Sequence, residues 1–205
     1  MLNELDSDAM QKTVPVVMQM LNAMREADVS NTQGFGGSGA DGNVPYSSWK
    51  DYLLRVGHDD PERRPDGWRA KLANSPIGDS VFMEALERLK ELVDVCPEKR
   101  HLVHGDLPYS NVLVKVGQIS TVIDWGNSVY GDFLYDIALL VYYWSWFSKW
   151  KDINIKQEVL AHYESICLAT ISDSIRRMIS QLSFCDRMFK LPSHRVLPSI
   201  IASLR

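Results

Sequence analysis

Between His101 and Ile123 the chain leaves the helical repeat that governs the rest of it. Val112–Val116 and Ile119–Ile123 are two β-branched runs, and Gly117-Gln118 between them reads as a tight connection. That pattern predicts a β-hairpin. His101–Val103 just upstream reads as a further short strand. Apolar residues elsewhere recur at helical spacing. Thr13–Ala27 carries Val16, Val17, Met20, Leu21 and Met24, with Pro15 placed in a first turn. Ser47 or Ser48 caps a short helix through Val56 that Gly57 ends. Asp66–Ala73 forms one or two turns. Asp79 caps a helix with Phe82, Met83, Leu86, Leu89, Leu92 and Val93 on one face, stopped by Pro97. Helices follow over Phe133–Phe147, Ile153–Thr170 and Ser172–Lys190, with a short tail helix between prolines. The predicted fold class is α+β and mostly helical, with one central β-hairpin carrying loops at its ends.

A chain of 205 residues is about one domain and can bury a core of its own. Its formal charge of −4 argues against a broad phosphate-binding surface for DNA or RNA and is compatible with a cationic small substrate. Cys96, Cys167 and Cys185 are odd in number and widely spaced, which fits reduced thiols. A zinc cluster of Cys96, His101 and His104 lacks an evident fourth ligand. MLNELDSDAM lacks the basic and apolar regions of a signal peptide. The longest apolar stretch, Ile137 to Phe147, is too short to span a bilayer. The expected location is the cytoplasm, with no membrane and no nucleic acid as partner.

The chemistry concentrates where the period changes. His104-Gly105-Asp106-Leu107-Pro108-Tyr109-Ser110-Asn111 has the form H-G-D-x4-N. Ile123-Asp124-Trp125 follows, and then Gly131-Asp132-x3-Asp136 opens a helix. Phosphoryl transfer needs a carboxylate beside the phosphate to accept the proton of an attacking hydroxyl, and Asp106 suits that role. It also needs hard oxygen ligands for Mg²⁺, a role that suits Asn111 and Asp124. Paired strands return the chain to its starting end, so the hairpin brings Asn111 and Asp124 to the same edge of the ribbon. Asp132 is equally an N-cap. Asp136, one turn on, is open to a structural or a substrate-facing role. His104 reads as structural. Trp144, Trp146, Phe147 and Trp150, with Tyr142 and Tyr143, read as core, with a subset facing a sugar or drug pocket as the alternative.

These residues resemble the aminoglycoside phosphotransferase family, which shares the protein-kinase-like fold. The run HLVHGDLPYSNVLVKVGQISTVIDWGNSVYGDFLYDIA is most similar to its hygromycin B phosphotransferase branch. The resemblance is close over about residues 100–138 and weaker over the flanking helices. It implies Asp106 as catalytic base, Asn111 and Asp124 as Mg²⁺ ligands, and Leu113 and Ile123 under the nucleotide base. It implies His104 as a brace of the loop, and Asp132 as a holder of that loop or a cap of its helix. The implied cofactors are Mg²⁺ and ATP or GTP as phosphoryl donor. The implied activity is transfer of the γ-phosphoryl to a hydroxyl of a small molecule, an aminoglycoside-type antibiotic first. A metabolic kinase of choline, homoserine or a sugar amine is the alternative within enzymes. A ligand-binding remnant without turnover is the alternative outside them.

Gly34-Phe35-Gly36-Gly37-Ser38-Gly39 matches G-x-G-x-x-G, but a kinase phosphate loop stands between two strands with a strand-borne lysine after it. Here a helical segment precedes, Lys50 lies in a helical pattern, and residues 29–45 read as a flexible surface loop. Nothing before residue 100 reads as the five-stranded sheet of the family's N-terminal lobe. Residues 1–205 are therefore expected to be a single kinase-like C-terminal lobe, with nucleotide binding and turnover impaired in the chain alone.

Overall fold

A computed structural model describes residues 1–37, 44–58, 67–76, 78–94, 96–107, 110–166 and 173–178. Helix α1, Ser7–Arg25, is started by Asp6, whose carboxylate accepts from the Ala9 N–H at 2.8 Å. It begins six residues before the sequence pattern predicts, so Pro15 stands in its interior and not in a first turn. Proline there removes one backbone bond and crowds the carbonyl four residues back. Burial of Met10, Val14, Val17, Met18 and Leu21 on one face outweighs that loss. This face packs with α5, Leu134–Trp144, and α6, Ile155–Ser165, in the larger core.

The aromatic cluster divides at this core. Trp150 is fully buried, stacks on Phe147 with centroids 4.4 Å apart, and donates its indole N–H to the Leu5 carbonyl at 3.0 Å. Trp144 is buried beside it, whereas Trp146 is 52% exposed with the Tyr142 and Tyr143 rings against it. Trp144 is the last residue of α5, whereas Trp146 stands in the turn beyond its end.

The strands form two two-stranded sheets. Strand β1, His101–Val103, pairs antiparallel with β4, Val129–Gly131. Strand β2, Val112–Lys115, pairs with β3, Gln118–Val122. The hairpin is where the sequence puts it, but its turn is not. Val116 and Gly117 both take positive φ, 52° and 71°, the geometry of a turn with two left-handed central residues. Gln118 is already in β3. Val116 at φ 52° is unusual for a β-branched residue and is 93% exposed. Strand β4 is three residues with a glycine at its end, and it takes extended form by pairing with β1.

A second, smaller core joins Phe35, Trp49, Tyr52, Val103 and Val129. Trp49 and Tyr52 stack in α2, Trp49–Leu54, whose N-terminus is capped by Ser48 through the Asp51 N–H at 2.9 Å. Glu98 accepts from the Trp49 and Lys50 N–H groups at 2.6 and 3.1 Å, satisfying two more of that helix's first donors. Gly131 must be glycine, because a Cβ there would enter the Trp49 indole. Helices α3, Trp68–Ala73, and α4, Ser80–Val93, complete this side, with Leu86 and Val93 of α4 buried. Among the described residues no helix is long and apolar enough to cross a membrane.

The first half of the glycine-rich segment is not a loose surface loop. Phe35 bridges Tyr46, and Gly36 exchanges backbone bonds of 3.0 and 2.9 Å with Tyr130 of β4. Arg100 donates to the Gly34 and Thr32 carbonyls at 2.7 and 2.9 Å and lies over the Tyr130 ring. Packing on β4, which sequence periodicity does not reveal, is what orders it. Residues 38–43 lie outside the described residues, as do Cys167, Cys185 and the predicted helices beyond residue 178.

Candidate active site

Strand β1 delivers the chain into the H-G-D-x4-N loop, and the loop is held from three sides. Asp136, in the first turn of α5, accepts from the His104 N–H at 2.7 Å and the Gly105 N–H at 3.0 Å, one on each carboxylate oxygen. It is 2% exposed. Its carboxylate is thus turned into the protein and engaged with the loop backbone, which corrects the substrate-facing alternative for this residue. Burial pushes the Asp136 carboxyl above its usual range, partly offset by those two N–H donors.

His104 is fully buried. Its Nε2 is 2.9 Å from the Ile123 carbonyl and therefore donates to it, and its ring lies against Trp125. It ties the H-G-D-x4-N loop to the end of the hairpin. Gly105 follows with φ +75°, and a Cβ there would collide with the Asn127 carbonyl. Only glycine fits that close approach.

Asp106 follows, mostly buried, with Asn127 donating its side-chain amide to Oδ2 at 3.1 Å. Asn111 donates its own side-chain amide to the Asp106 carbonyl at 3.0 Å, closing the loop on itself. The Ile123 N–H donates to the Asn111 carbonyl at 2.9 Å, and Val112 pairs with Val122. Asn111 and Asp124 therefore stand at the same end of the ribbon. Asp124 is exposed, takes the left-handed conformation at φ 62°, and leads into a 3-10 turn over Trp125–Asn127. One carboxylate oxygen set and one amide oxygen at a single edge fit Mg²⁺, which uses one or two protein oxygens and completes its shell with phosphate and water. The Asn111 amide nitrogen is committed to the Asp106 carbonyl, so its amide oxygen is the atom that could serve a metal ion.

Val112, Val114, Ile119 and Val122 turn toward the larger core. By the alternation of the pleat, Leu113, its partner Thr121 and Ile123 lie on the opposite face, with Ile123 exposed. Asp132, 4% exposed, stands just before the N-cap Phe133 and accepts from the Leu134 N–H, the first donor of α5, at 3.0 Å. His101 Nδ1 accepts from the Phe133 N–H at 3.4 Å, and burial lowers its pKa. Burial pushes the Cys96 thiol up.

Sequence reasoning missed Asn127, and it left Asp136 open between a structural and a substrate-facing role, of which the hydrogen bonds to the loop favour the structural one. Neither position is marked by residue type: an asparagine after I-D-W-G reads as a turn, and only the closing of β1 on β4 brings it beside Gly105.

Burial raises the Asp132 carboxyl from an ordinary 3.8 to about 6. The sign follows: a raised acid stabilises the fold fully below pH 4, and that stability is lost as pH rises through about 6. At 1.36 kcal/mol per pH unit the swing is about 3 kcal/mol. Asp132→Asn keeps an oxygen for the Leu134 N–H and removes the titration. Urea unfolding at pH 4.5 and 7.5 is expected to show the variant gaining on the wild type as pH rises. Parallel pH dependence of the two proteins would refute the burial argument.

The Phosphotransferase enzyme family matches residues 18–173, and the chain belongs to that family. It is similar to hygromycin-B 4-O-kinase of Escherichia coli, at 32% identity over 145 residues, covering 71% of this chain and 41% of that protein. Its fold resembles a thermostable mutant of aminoglycoside phosphotransferase APH(4)-Ia in the apo form. The TM-score is 0.67 at 28% identity, covering 86% of this chain and 57% of the other. A variant of that enzyme in ternary complex with ADP and hygromycin B matches equally, at TM-score 0.67 and 28% identity, over 87% of this chain and 57% of the other. The chain thus spans about two fifths of the curated relative and little more than half of these structures.

Proposed function

We propose that the chain is the catalytic-loop lobe, kinase-like and C-terminal in character, of an enzyme that moves the γ-phosphoryl of ATP or GTP to a hydroxyl of an aminoglycoside related to hygromycin B. The observation that carries this reading is the mutual fixing of three groups. Asp106 and Asn111 are bonded within one loop, and the Ile123–Asn111 backbone bond sets Asp124 beside that loop.

Asp106 accepts the proton of the acceptor hydroxyl as that oxygen attacks phosphorus. The Asn127 and Asn111 bonds fix this carboxylate and its main chain, so little reorganisation is left for the reaction itself. Asn111 and Asp124 would hold Mg²⁺, which when bound neutralises the phosphate oxygens. Leu113 and Ile123 offer the nucleotide base an apolar floor on the outward face of the hairpin. Similarity to proteins named for hygromycin B supports a cationic aminosugar acceptor, and the mild acidity of the chain accords with it.

Thermal unfolding with Mg²⁺–ATP, Mg²⁺–GTP and hygromycin B tests the proposal. A ligand at a hundredfold excess over its dissociation constant adds about 2.7 kcal/mol. For a chain of this size that raises Tm by roughly 5–11 °C at 2–4 °C per kcal/mol. The expected result is a Mg²⁺-dependent nucleotide shift that Asp124→Ala abolishes. A nucleotide shift of the same size in Asp124→Ala would remove Asp124 from the metal site.

A further inference from the structure

Asp124 and Asn127 are joined by a single 3-10 turn. The Asn127 carbonyl is packed against Gly105, so closely that no side chain fits between them. Its backbone is therefore fixed by a neighbour of Asp106. From there its side-chain amide reaches the Asp106 carboxylate, Nδ2 to Oδ2, at 3.1 Å. The amide nitrogen must be the atom that faces a carboxylate oxygen, since that oxygen only accepts.

We propose that Asn127 is the positioning residue of the catalytic carboxylate, holding Asp106 in the orientation from which it takes the acceptor's proton. The proposal rests on the phosphotransferase reading. The chemistry favours an amide here. A neutral donor orients the carboxylate without forming an ion pair, which would weaken it as a proton acceptor. A hydrocarbon side chain would remove this orienting bond. A second carboxylate would repel it and favour its protonated form. Asn111 fixes the main chain of Asp106 and Asn127 fixes its side chain, so the two amides have complementary tasks.

The test combines contact and turnover in the full chain. In ¹⁵N-labelled protein, Asp106→Ala is expected to move the Asn127 side-chain amide resonances upfield and speed their exchange. With hygromycin B and Mg²⁺–ATP, Asn127→Ala is expected to lower kcat about tenfold to a hundredfold, the cost of a misplaced group. KM for both substrates should stay within about twofold, since ground-state binding is untouched. Asn127→Asp is expected to move the acid limb of the kcat/KM profile to higher pH. Unchanged Asn127 resonances on Asp106→Ala would overturn the contact. A variant whose KM rises while kcat stays constant would make Asn127 a substrate-binding residue instead. Wild-type protein that transfers no phosphoryl group, even at the slow rate expected of this lobe alone, would overturn the phosphotransferase reading, and the positioning role with it, whatever the amide resonances show.

Discussion

Asp106→Ala is expected to lower kcat for phosphorylation of an aminoglycoside by about 10²–10⁴, the contribution of a positioned general base. The same substitution should leave the Mg²⁺-dependent nucleotide shift in Tm intact. The reason is local. Asn111 bonds the main-chain carbonyl of residue 106, not its side chain, so the loop keeps its anchor when the carboxylate is removed. Asp124 stands on the hairpin and does not depend on Asp106 for its place. Steady-state kinetics and thermal unfolding of the one variant thus separate proton transfer from metal and nucleotide binding. A fall in kcat of less than tenfold would sink the base assignment. Loss of the nucleotide shift together with activity would mean that Asp106 holds the site together and is not chiefly a base.

Asp136→Ala is expected to cost about 2–5 kcal/mol of folding stability. A buried N–H donor on His104 and a part-buried one on Gly105 would lose their acceptor, and an orphaned buried donor costs about 1–3 kcal/mol. Asp136→Asn should fall between alanine and wild type, because its carbonyl oxygen keeps one donor while its NH₂ faces the other. Urea unfolding at pH 7.5 reads both variants. Asp136 is buried and engages the loop backbone, so its loss should also loosen Asp106, and activity should fall in both variants. Stability changes within about 0.5 kcal/mol for alanine, the range of an ordinary surface substitution, would show that the loop is braced elsewhere.

Much of this site is legible in the chain because it is local. Asp106, Asn111 and Asp124 stand on one hairpin and the loop entering it, and a hairpin's pairing follows from its own length and residues. The close match of β2 and β3 to the two β-branched runs has the same cause. So does the cap of α2 at Ser48. The N-terminus of α1 was harder to place: Pro15 suggests a helix start by its own geometry, and only the buried face from Met10 onward shows that the helix was already under way.

Sequence alone determined the hairpin, the order of the acidic and amide groups along it, and the helical character of what surrounds it. These depend on period, residue type and separation over a few residues. Tertiary structure decided the rest. It paired β1 with a three-residue strand 28 positions downstream, as the register of Val103 with Val129 and His101 with Gly131 requires. It drew Gly34–Gly36 onto that strand under Arg100. It turned Asp136 inward to the loop and brought Asn127 against Asp106. Each of these joins segments that no short-range pattern connects. Their common physical reason is that buried N–H and C=O groups must find partners wherever packing places them.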